Sequence, residues 1–364
     1  MDAGVYRCRH SRSLEGGQSA LPSSLLFAAG LLGNVLALGL LWHHQLRARL
    51  QRGGGGGGGG GRPRASAFYL LVSALAATDL LGKCLVSPMV FAAYARNRSL
   101  SELWPARPGQ LCQAFAFLMA FFGLAPTALL LAMALECWLS LGHPYFYERH
   151  ASRRLGALLT GAAAALCALF CALPLLGFGA NVQYCPGTWC FIRMAGGAGR
   201  PYSVLYASLL GVLVLAVGLC NLGSMRSLYR MARRQPPRRS RLAAGGPAAA
   251  AAAPPGLQGA RRMEELGQLV LLALMTVLFT VCSLPVIIRA YIGAFAPDSD
   301  DDADLRALRF FSVNSIVDPW VFIIFRTSVF RTFLRRVSRR LSSQKAPHSQ
   351  LLETWQRKGS GPLQ

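Results

Sequence analysis

Seven long apolar stretches alternate along the chain with segments rich in charged or small residues. Each stretch is long enough for a helix that crosses a bilayer, which takes about 20 residues. The pattern therefore predicts an all-α fold, a seven-transmembrane helix bundle at residues 22–325. The predicted spans, numbered one to seven, cover residues 22–43, 66–94, 111–141, 155–176, 201–225, 264–292 and 305–325.

The two ends of the chain differ in character from the spans. Residues 1–21 are polar, and we expect them to form an extracellular N-terminus. Over residues 326–341 apolar side chains recur every three or four positions, with arginines between them. This spacing predicts a short amphipathic cytosolic helix that lies on the anionic lipids of the inner membrane surface. Residues 342–364 are expected to be a cytosolic tail.

Composition supports a membrane protein and sets its orientation. The chain is 53% hydrophobic and only 15% charged, whereas soluble domains are about 25% charged. Its net charge of +23 could suggest nucleic acid, but the basic residues lie between apolar spans, so we expect no nucleic-acid partner. Most of the 38 Lys and Arg residues lie in the loops at 43–65, 142–154 and 226–262 and beyond residue 326. The positive-inside rule makes these segments cytosolic and the N-terminus extracellular.

The ten cysteines form no metal-binding pattern, and no metal site is predicted with certainty. Six of them fall inside apolar runs, where small packing residues are expected. The other four, which all fall on the predicted outer side, would suit two disulfide bonds in an oxidising compartment: Cys8, Cys112, Cys185 and Cys190. The same side carries Asn97, which begins a predicted N-glycosylation sequon with Arg98 and Ser99.

Charged residues inside the spans mark candidate functional positions, because each costs roughly 2.5–3.5 kcal/mol to insert. Arg309 in span seven could bind a ligand anion, it could pair with Asp302 or Asp304 nearby, or its side chain could extend outward to the membrane surface. In span two, Lys83 follows Asp79 by four residues, so both side chains project from one helix face. They could form an internal ion pair, or Lys83 could line a polar subsite; these alternatives are compatible.

Short motifs give the chain a family resemblance. They are GN at 33–34, LAATD at 75–79, QYCPGTWCF at 183–191, CSLP at 282–285 and DPW at 318–320. On these motifs the chain resembles the rhodopsin-like G-protein-coupled receptors and, among them, the prostanoid receptors, over about residues 24–340. The resemblance implies a prostanoid lipid as ligand, with prostaglandin D2 as the first expectation and prostacyclin as the alternative.

The resemblance also implies roles for individual residues. Arg309 would anchor the prostanoid carboxylate through two parallel hydrogen bonds, and Tyr94 and Thr188 would assist it. Lys83 and Trp189 complete the expected ligand-binding set. Family members join span three to the outer loop by a disulfide, which here would be Cys112–Cys190, and Cys8–Cys185 would form a second bond.

A buried polar network is expected to act as the switch. Related receptors hold a sodium ion or water at positions that here are Asp79, Asn314, Ser315 and Asp318. Pro126 replaces a hydroxyl that many relatives have there, so a proton shared by the two aspartates is the alternative to sodium.

The cytosolic end of span three departs from the usual pattern of related receptors. Glu136 is followed by Cys137, whereas relatives usually have an arginine at that position. The inactive state must therefore be restrained by other contacts, and the surroundings of Trp320 are the first place to expect them.

The function implied is that of a plasma-membrane receptor that couples to the stimulatory heterotrimeric G protein, raises cyclic AMP and engages arrestin. No cofactor is expected. A transporter is disfavoured because the chain has no two similar halves. An enzyme is disfavoured because the six histidines lie at span ends or in loops and form no intramembrane catalytic pair.

Overall fold

A computed structural model describes residues 6–16, 19–53, 64–150, 153–196, 199–234, 255–296 and 300–326. Two predicted segments, the amphipathic helix at 326–341 and the tail at 342–364, lie outside these residues except for Arg326, where the last helix ends.

Helices account for nearly all of the described structure. Seven of them are long and apolar enough to cross a membrane, with mean hydropathy between 1.4 and 2.5 over their most apolar windows. The predicted all-α bundle of seven spans is therefore confirmed. In chain order the elements are α1 (Leu21–Gly53), α2 (Arg64–Arg96), α3 (Gln110–Gly142), α4 (Pro144–His150), α5 (Arg153–Ala172), a 3-10 turn (Leu173–Leu176), β1 (Asn181–Tyr184), β2 (Trp189–Ile192), α6 (Arg200–Arg234), α7 (Pro255–Phe295) and α8 (Asp301–Arg326).

Spans one to seven correspond to α1, α2, α3, α5, α6, α7 and α8, and several of these helices run beyond the apolar stretches that predict them. Span three lies at the centre of the bundle, where it packs against spans two, four and five and against the β-hairpin. Span four is peripheral, since only 6% of its most apolar window is buried. The bundle therefore has its core along span three.

The outer end of the bundle is closed by a β-hairpin that the sequence did not predict. Strands β1 and β2 pair antiparallel, with Tyr184 opposite Trp189 at the turn. Two disulfides hold the hairpin, Cys112–Cys190 to span three and Cys8–Cys185 to the N-terminal segment. Both predicted disulfide bonds are confirmed.

The acidic segment before span seven is the start of the helix rather than a loop. Asp300 caps it, because its Oδ1 atom accepts hydrogen bonds from the backbone N–H groups of Asp302 and Ala303, each at 3.0 Å. The pKa of Asp300 is below its ordinary value, and the hydrogen bond from the Ala303 N–H is the largest cause of this shift. Acidic residues in a first turn also interact favourably with the positive end of the helix dipole, so this segment continues the helix outward.

Candidate functional site

A cavity opens between spans one, two, three and seven, beneath the hairpin. It encloses about 910 Å³ of space, including the part that is open to solvent. Apolar side chains dominate its walls, with Phe27, Phe91, Phe115, Met119 and Phe311 among them. A mostly apolar pocket with a few polar groups is the usual form of a site for a lipophilic small molecule.

Polar groups meet on the wall that spans two and seven share. Lys83 and Asp79 both line the cavity. The Lys83 ammonium donates a hydrogen bond to the backbone carbonyl of Ser312 at 3.3 Å. Among the described residues no salt-bridge contact joins it to Asp79, and the ion pair that the spacing suggested stays a prediction beside this bond between two spans.

The predicted ligand-binding residues divide into two groups. Lys83 and Trp189 line the cavity, and the Trp189 ring packs edge-on against Phe115 with centroids 6.2 Å apart. The other three predicted residues are not among the lining residues: Tyr94 is half-buried, Thr188 is fully buried in the hairpin turn, and Arg309 is exposed.

Arg309 nevertheless lies beside the cavity along span seven. It precedes the cavity-lining Ser312 by three residues, so the two share a helix face, and the Ser312 hydroxyl donates to the Arg309 carbonyl at 2.8 Å. Within the described part of the chain, the Arg309 guanidinium has no ion-pair partner. The role of Arg309 as carboxylate anchor stays a prediction.

The two acids that could have paired with Arg309 bind other arginines. Asp304 accepts a hydrogen bond from Arg289 of span six at 2.6 Å, and the two side chains are 1% and 13% exposed. Asp302 lies 3.4 Å from Arg7 of the N-terminal segment. The alternative of an internal pair for Arg309 therefore has no support in these contacts.

Tyr6 joins the N-terminal segment to the hairpin and to span seven. Its hydroxyl accepts the backbone N–H of Ala195 at 2.9 Å and donates to Asp304 at 3.4 Å. Its ring meets Tyr184 edge-on. Burial, and after it the negative charge of Asp304, raises the pKa of Tyr6 to about 12, so the phenol stays neutral and can donate.

The rest of the N-terminal segment lies along the same surface. The Gln183 amide donates to the Cys8 carbonyl at 2.7 Å, and the Ser99 N–H donates to the Arg12 carbonyl at 3.0 Å. Residues 6–16 and the hairpin thus lie together over the cavity. We call these two segments the lid. Asn97 lies at its edge and is exposed; glycosylation there stays a prediction.

Sequence comparison identifies the architecture. The pattern that characterises the 7 transmembrane receptor (rhodopsin family) matches residues 62–322. The chain belongs to this family. The receptor is therefore a multi-pass protein of the plasma membrane, and its family comprises receptors rather than enzymes, as the sequence predicted.

Several curated relatives are prostanoid receptors. The receptor is 55% identical to the human prostaglandin D2 receptor over 350 residues, which cover 93% of this chain and 94% of the human one. It is 46% identical to the dog prostaglandin E2 receptor EP2 subtype, with 91% and 88% of the two chains covered. Identity to the human prostacyclin receptor is also 46%, over 89% and 77%. Within the rhodopsin family, the receptor is thus a prostanoid receptor.

Three of the predicted switch residues, Asp79, Asn314 and Ser315, line the cavity, and Asp318 lies further along span seven. Asp79 and Asp318 are each 2% exposed, and the Oδ2 atom of each has no hydrogen-bond partner among the described residues. The Asn314 amide donates to the Ser283 hydroxyl at 3.3 Å, and the Ser315 carbonyl accepts the Asn34 amide at 3.0 Å. The free carboxylate oxygens fit a proton or a hard cation, and these two alternatives for the site remain open predictions.

Contacts between helices away from the cavity include residues that sequence reasoning missed. The Glu136 carboxylate accepts the Tyr147 hydroxyl at 2.8 Å, which ties span three to the short helix α4. The Asn221 amide of span five donates to the Thr276 hydroxyl of span six at 2.7 Å. Trp320, where restraint was expected, donates to the Ala29 carbonyl at 3.1 Å. No motif marks Tyr147, Asn221 or Thr276, because each of them bonds to a residue of another helix.

Proposed function

We propose that the receptor binds prostaglandin D2 in this cavity, couples to the stimulatory G protein and raises cyclic AMP. The observation that carries the proposal is the cavity itself, apolar over most of its wall, with the Lys83 ammonium on one side and the lid above. A prostanoid has the matching form, a carboxylate on a long apolar chain. The 55% identity to the human prostaglandin D2 receptor favours that ligand over other prostanoids.

Arg309 is proposed to bind the ligand carboxylate. A guanidinium offers two parallel N–H donors that fit a carboxylate. Its place one turn outward from Ser312, and the engagement of Asp302 and Asp304 by other arginines, favour this role. The carboxylate end of the ligand would then lie near the lid.

Two hydroxyl groups are proposed to assist Arg309. Thr188 has a buried Oγ1 atom without a hydrogen-bond partner among the described residues, and a ligand oxygen would satisfy it. Tyr94 lies in the last turns of span two on the same side of the membrane. Trp189 would cover the ligand from the lid, since it lines the cavity.

Lys83 is proposed to contact the prostanoid ring. An ammonium has three N–H donors, and the carbonyl of Ser312 takes one of them. The others can bind ring oxygens, which differ in kind and position among prostanoids. Lys83 would therefore contribute to selection between ligands.

The signal is proposed to pass through the polar network at the cavity. Asp79, Asn314 and Ser315 line the cavity, and Asp318 follows Asn314 by four residues on span seven, so the ligand would lie next to these polar groups. Agonist would bind the active conformation better and so raise its population. The cytosolic segments around Glu136 would then engage the stimulatory G protein and, afterwards, arrestin.

A cyclic AMP assay with a panel of prostanoids tests the proposal. The receptor is expressed in cells that lack prostanoid receptors and is exposed to prostaglandin D2, prostaglandin E2 and a stable prostacyclin analogue. We expect cyclic AMP to rise, with prostaglandin D2 the most potent ligand. Greater potency of the prostacyclin analogue would replace the proposed ligand by the alternative, and a fall in cyclic AMP would refute coupling to the stimulatory G protein.

A further inference from the structure

Gly30, in the middle of span one, faces the lysine of the cavity. Gly30 is buried, and a Cβ atom placed on it would lie 3.3 Å from Lys83 Cε and 3.6 Å from Lys83 Cδ. The same atom would lie 3.3 Å from Ile316 Cγ1. The absence of a side chain therefore leaves a notch in span one, and the methylene stem of Lys83 lies against it.

The notch determines where the ammonium ends. Lys83 belongs to span two, but its stem lies against span one and its Nζ atom reaches the Ser312 carbonyl of span seven. Because the stem lies in the notch, the ammonium reaches the wall of the cavity between spans two and seven.

Hydrogen bonds connect the notch at Gly30 to the Ser312 carbonyl that accepts from Lys83. The Asn34 amide nitrogen donates to the Gly30 carbonyl at 2.9 Å and also to the Ser315 carbonyl at 3.0 Å. Ser315 in turn donates its hydroxyl to the Ser312 carbonyl at 3.1 Å. These bonds connect the backbone at Gly30 to the carbonyl that accepts from Lys83, so both contacts of the lysine belong to one connected set.

Other close glycines of the bundle face a different kind of neighbour. A Cβ atom on Gly33 would meet Trp320, and one on Gly82 would meet Phe122. These positions let helices pack against bulky rings. Gly30 meets the stem of a charged side chain that lines the cavity, and this suggests a role in the site rather than in packing alone.

We propose that Gly30 is a positioning residue for ligand selection. It fixes Lys83 so that the ammonium meets the polar ring atoms of a prostanoid, and so contributes to discrimination between prostanoids with different rings. This inference rests on the proposed function. A methyl group at position 30 would force the Lys83 stem or Ile316 to shift by a few tenths of an ångström, and a hydrogen bond to a charged group weakens when its geometry is displaced.

The test compares two ligands on variants of the full-length receptor. The ligands are prostaglandin D2 and an analogue whose ring hydroxyl and carbonyl are replaced by hydrogen. For Gly30→Ala we expect about tenfold weaker binding of prostaglandin D2 and unchanged binding of the analogue, with a larger difference for Gly30→Val. Gly39→Ala is the matched control. Gly39 lies on the same helix as Gly30, and a Cβ atom placed on it would have no neighbouring atom within 4 Å. Affinity is measured by radioligand competition, alongside surface expression.

A double variant separates action through Lys83 from a general packing effect. Lys83→Met keeps an unbranched stem and removes the charge. If Gly30 acts through the ammonium, adding Gly30→Ala to Lys83→Met produces no further loss of prostaglandin D2 affinity. A further loss of similar size in the double variant, or equal losses for both ligands in Gly30→Ala, would overturn the inference.

The outcome for the unmodified receptor keeps the two proposals apart. If it binds no prostanoid, the proposed function fails. If it binds prostaglandin D2 with nanomolar affinity and Gly30→Ala binds both ligands as tightly as Gly39→Ala does, only the positioning role of Gly30 fails. Should Gly30→Val not reach the cell surface, Gly30→Ala decides the question.

Discussion

Arg309 is an exposed cation on span seven, and it has no acidic partner among the residues described. Its nearest candidates are engaged, since Asp304 binds Arg289 and Asp302 binds Arg7. A ligand carboxylate would therefore not have to displace an internal partner. This favours strong binding, because the gain from the new pair is not offset by the loss of an old one.

Replacement of Arg309 tests this at the level of one residue. We expect Arg309→Ala to weaken prostaglandin D2 binding by roughly 2–5 kcal/mol, or about 30- to several-thousand-fold. Arg309→Lys should retain part of the affinity, because an ammonium lacks the two parallel donors of a guanidinium. Radioligand competition at matched surface expression provides the measurement.

Arg306→Ala is the matched control for Arg309→Ala. Arg306 lies one turn outward on the same helix and is also exposed, so it reports the effect of losing a nearby positive charge. Its affinity should stay close to that of the unmodified receptor. Unchanged affinity of Arg309→Ala would refute the anchor, and equal losses in both variants would indicate long-range electrostatics instead.

Single residues of the site were predictable where a charge stood in an apolar run. Arg309, Lys83 and Asp79 were identified in this way, because their insertion cost demands a reason. The contact of Lys83 was not predictable, because Ser312 accepts through its backbone carbonyl, and every residue has one. The role of the notch at Gly30 could not be predicted either, since it depends on which side chain of another helix lies against Gly30.

Among the elements, the lid depends on a few bonds at its centre. The Tyr6 hydroxyl connects the N-terminal segment to Ala195 and to Asp304, which is itself bound to Arg289 of span six. One phenol thus joins the lid to spans six and seven. Loss of that hydroxyl should loosen the lid without removing any proposed ligand contact.

Tyr6→Phe is expected to speed ligand release. It removes two hydrogen bonds worth about 1 kcal/mol each, so dissociation of bound radioligand should accelerate about five- to thirtyfold, with a smaller effect on association. Because its pKa is about 12, Tyr6 stays a neutral donor at physiological pH, and the dissociation rate of the unmodified receptor should not vary with pH near neutrality through this group.

Tyr145→Phe serves as the control for this change. Tyr145 is 89% exposed on α4 at the cytosolic end, far from the lid along the chain and in the bundle. Its dissociation rate should match that of the unmodified receptor. An unaltered rate in Tyr6→Phe would show that the Tyr6 hydroxyl does not hold the lid closed.

The elements of the lid were only partly visible in the sequence. The four cysteines and the family resemblance predicted both disulfides. The strands Asn181–Tyr184 and Trp189–Ile192 were not predicted, since each is only four residues long and their pairing is stabilised by contacts with span three. The acidic run lies outside the predicted span at 305–325, because its charges do not suit a bilayer, yet the helix begins at Asp301 with Asp300 as its cap.

At the scale of the whole molecule, a side-chain hydrogen bond joins spans five and six. Asn221 of span five is 7% exposed and donates to Thr276 of span six at 2.7 Å. Hydrogen bonds between helices within membranes average about 0.6 kcal/mol and reach about 1.7 kcal/mol. Separation of the two spans must break this bond.

Thr276→Val is expected to raise basal signalling. Loss of the bond should shift the balance of conformations about 3- to 18-fold toward separated spans, and basal cyclic AMP per receptor at the surface should increase. Thr280→Val is the control, because the Thr280 hydroxyl bonds within its own helix to the Thr276 carbonyl. Basal cyclic AMP that is no higher in Thr276→Val than in Thr280→Val would contradict the prediction.

The architecture was the most predictable level. Within the hydrocarbon core each backbone N–H and C=O must be satisfied inside its own segment, so an apolar run of sufficient length has to be a helix. Seven runs therefore gave seven spans, and the distribution of arginines gave their orientation. Contacts such as that of Asn221 with Thr276 could not be predicted from the sequence, since they depend on how each helix is rotated about its axis.

The long-range contacts of the N-terminal segment have a consequence for how the receptor is made. The two cysteines are separated by 177 positions, and Tyr6 meets Asp304 across 298 positions. During synthesis the first residues must wait in the lumen of the secretory pathway until the last span has been delivered. The outer surface can therefore complete its folding only when translation is nearly finished. We expect a protein fused directly ahead of Tyr6 to slow this last folding step, and a protein fused to the C-terminus not to slow it.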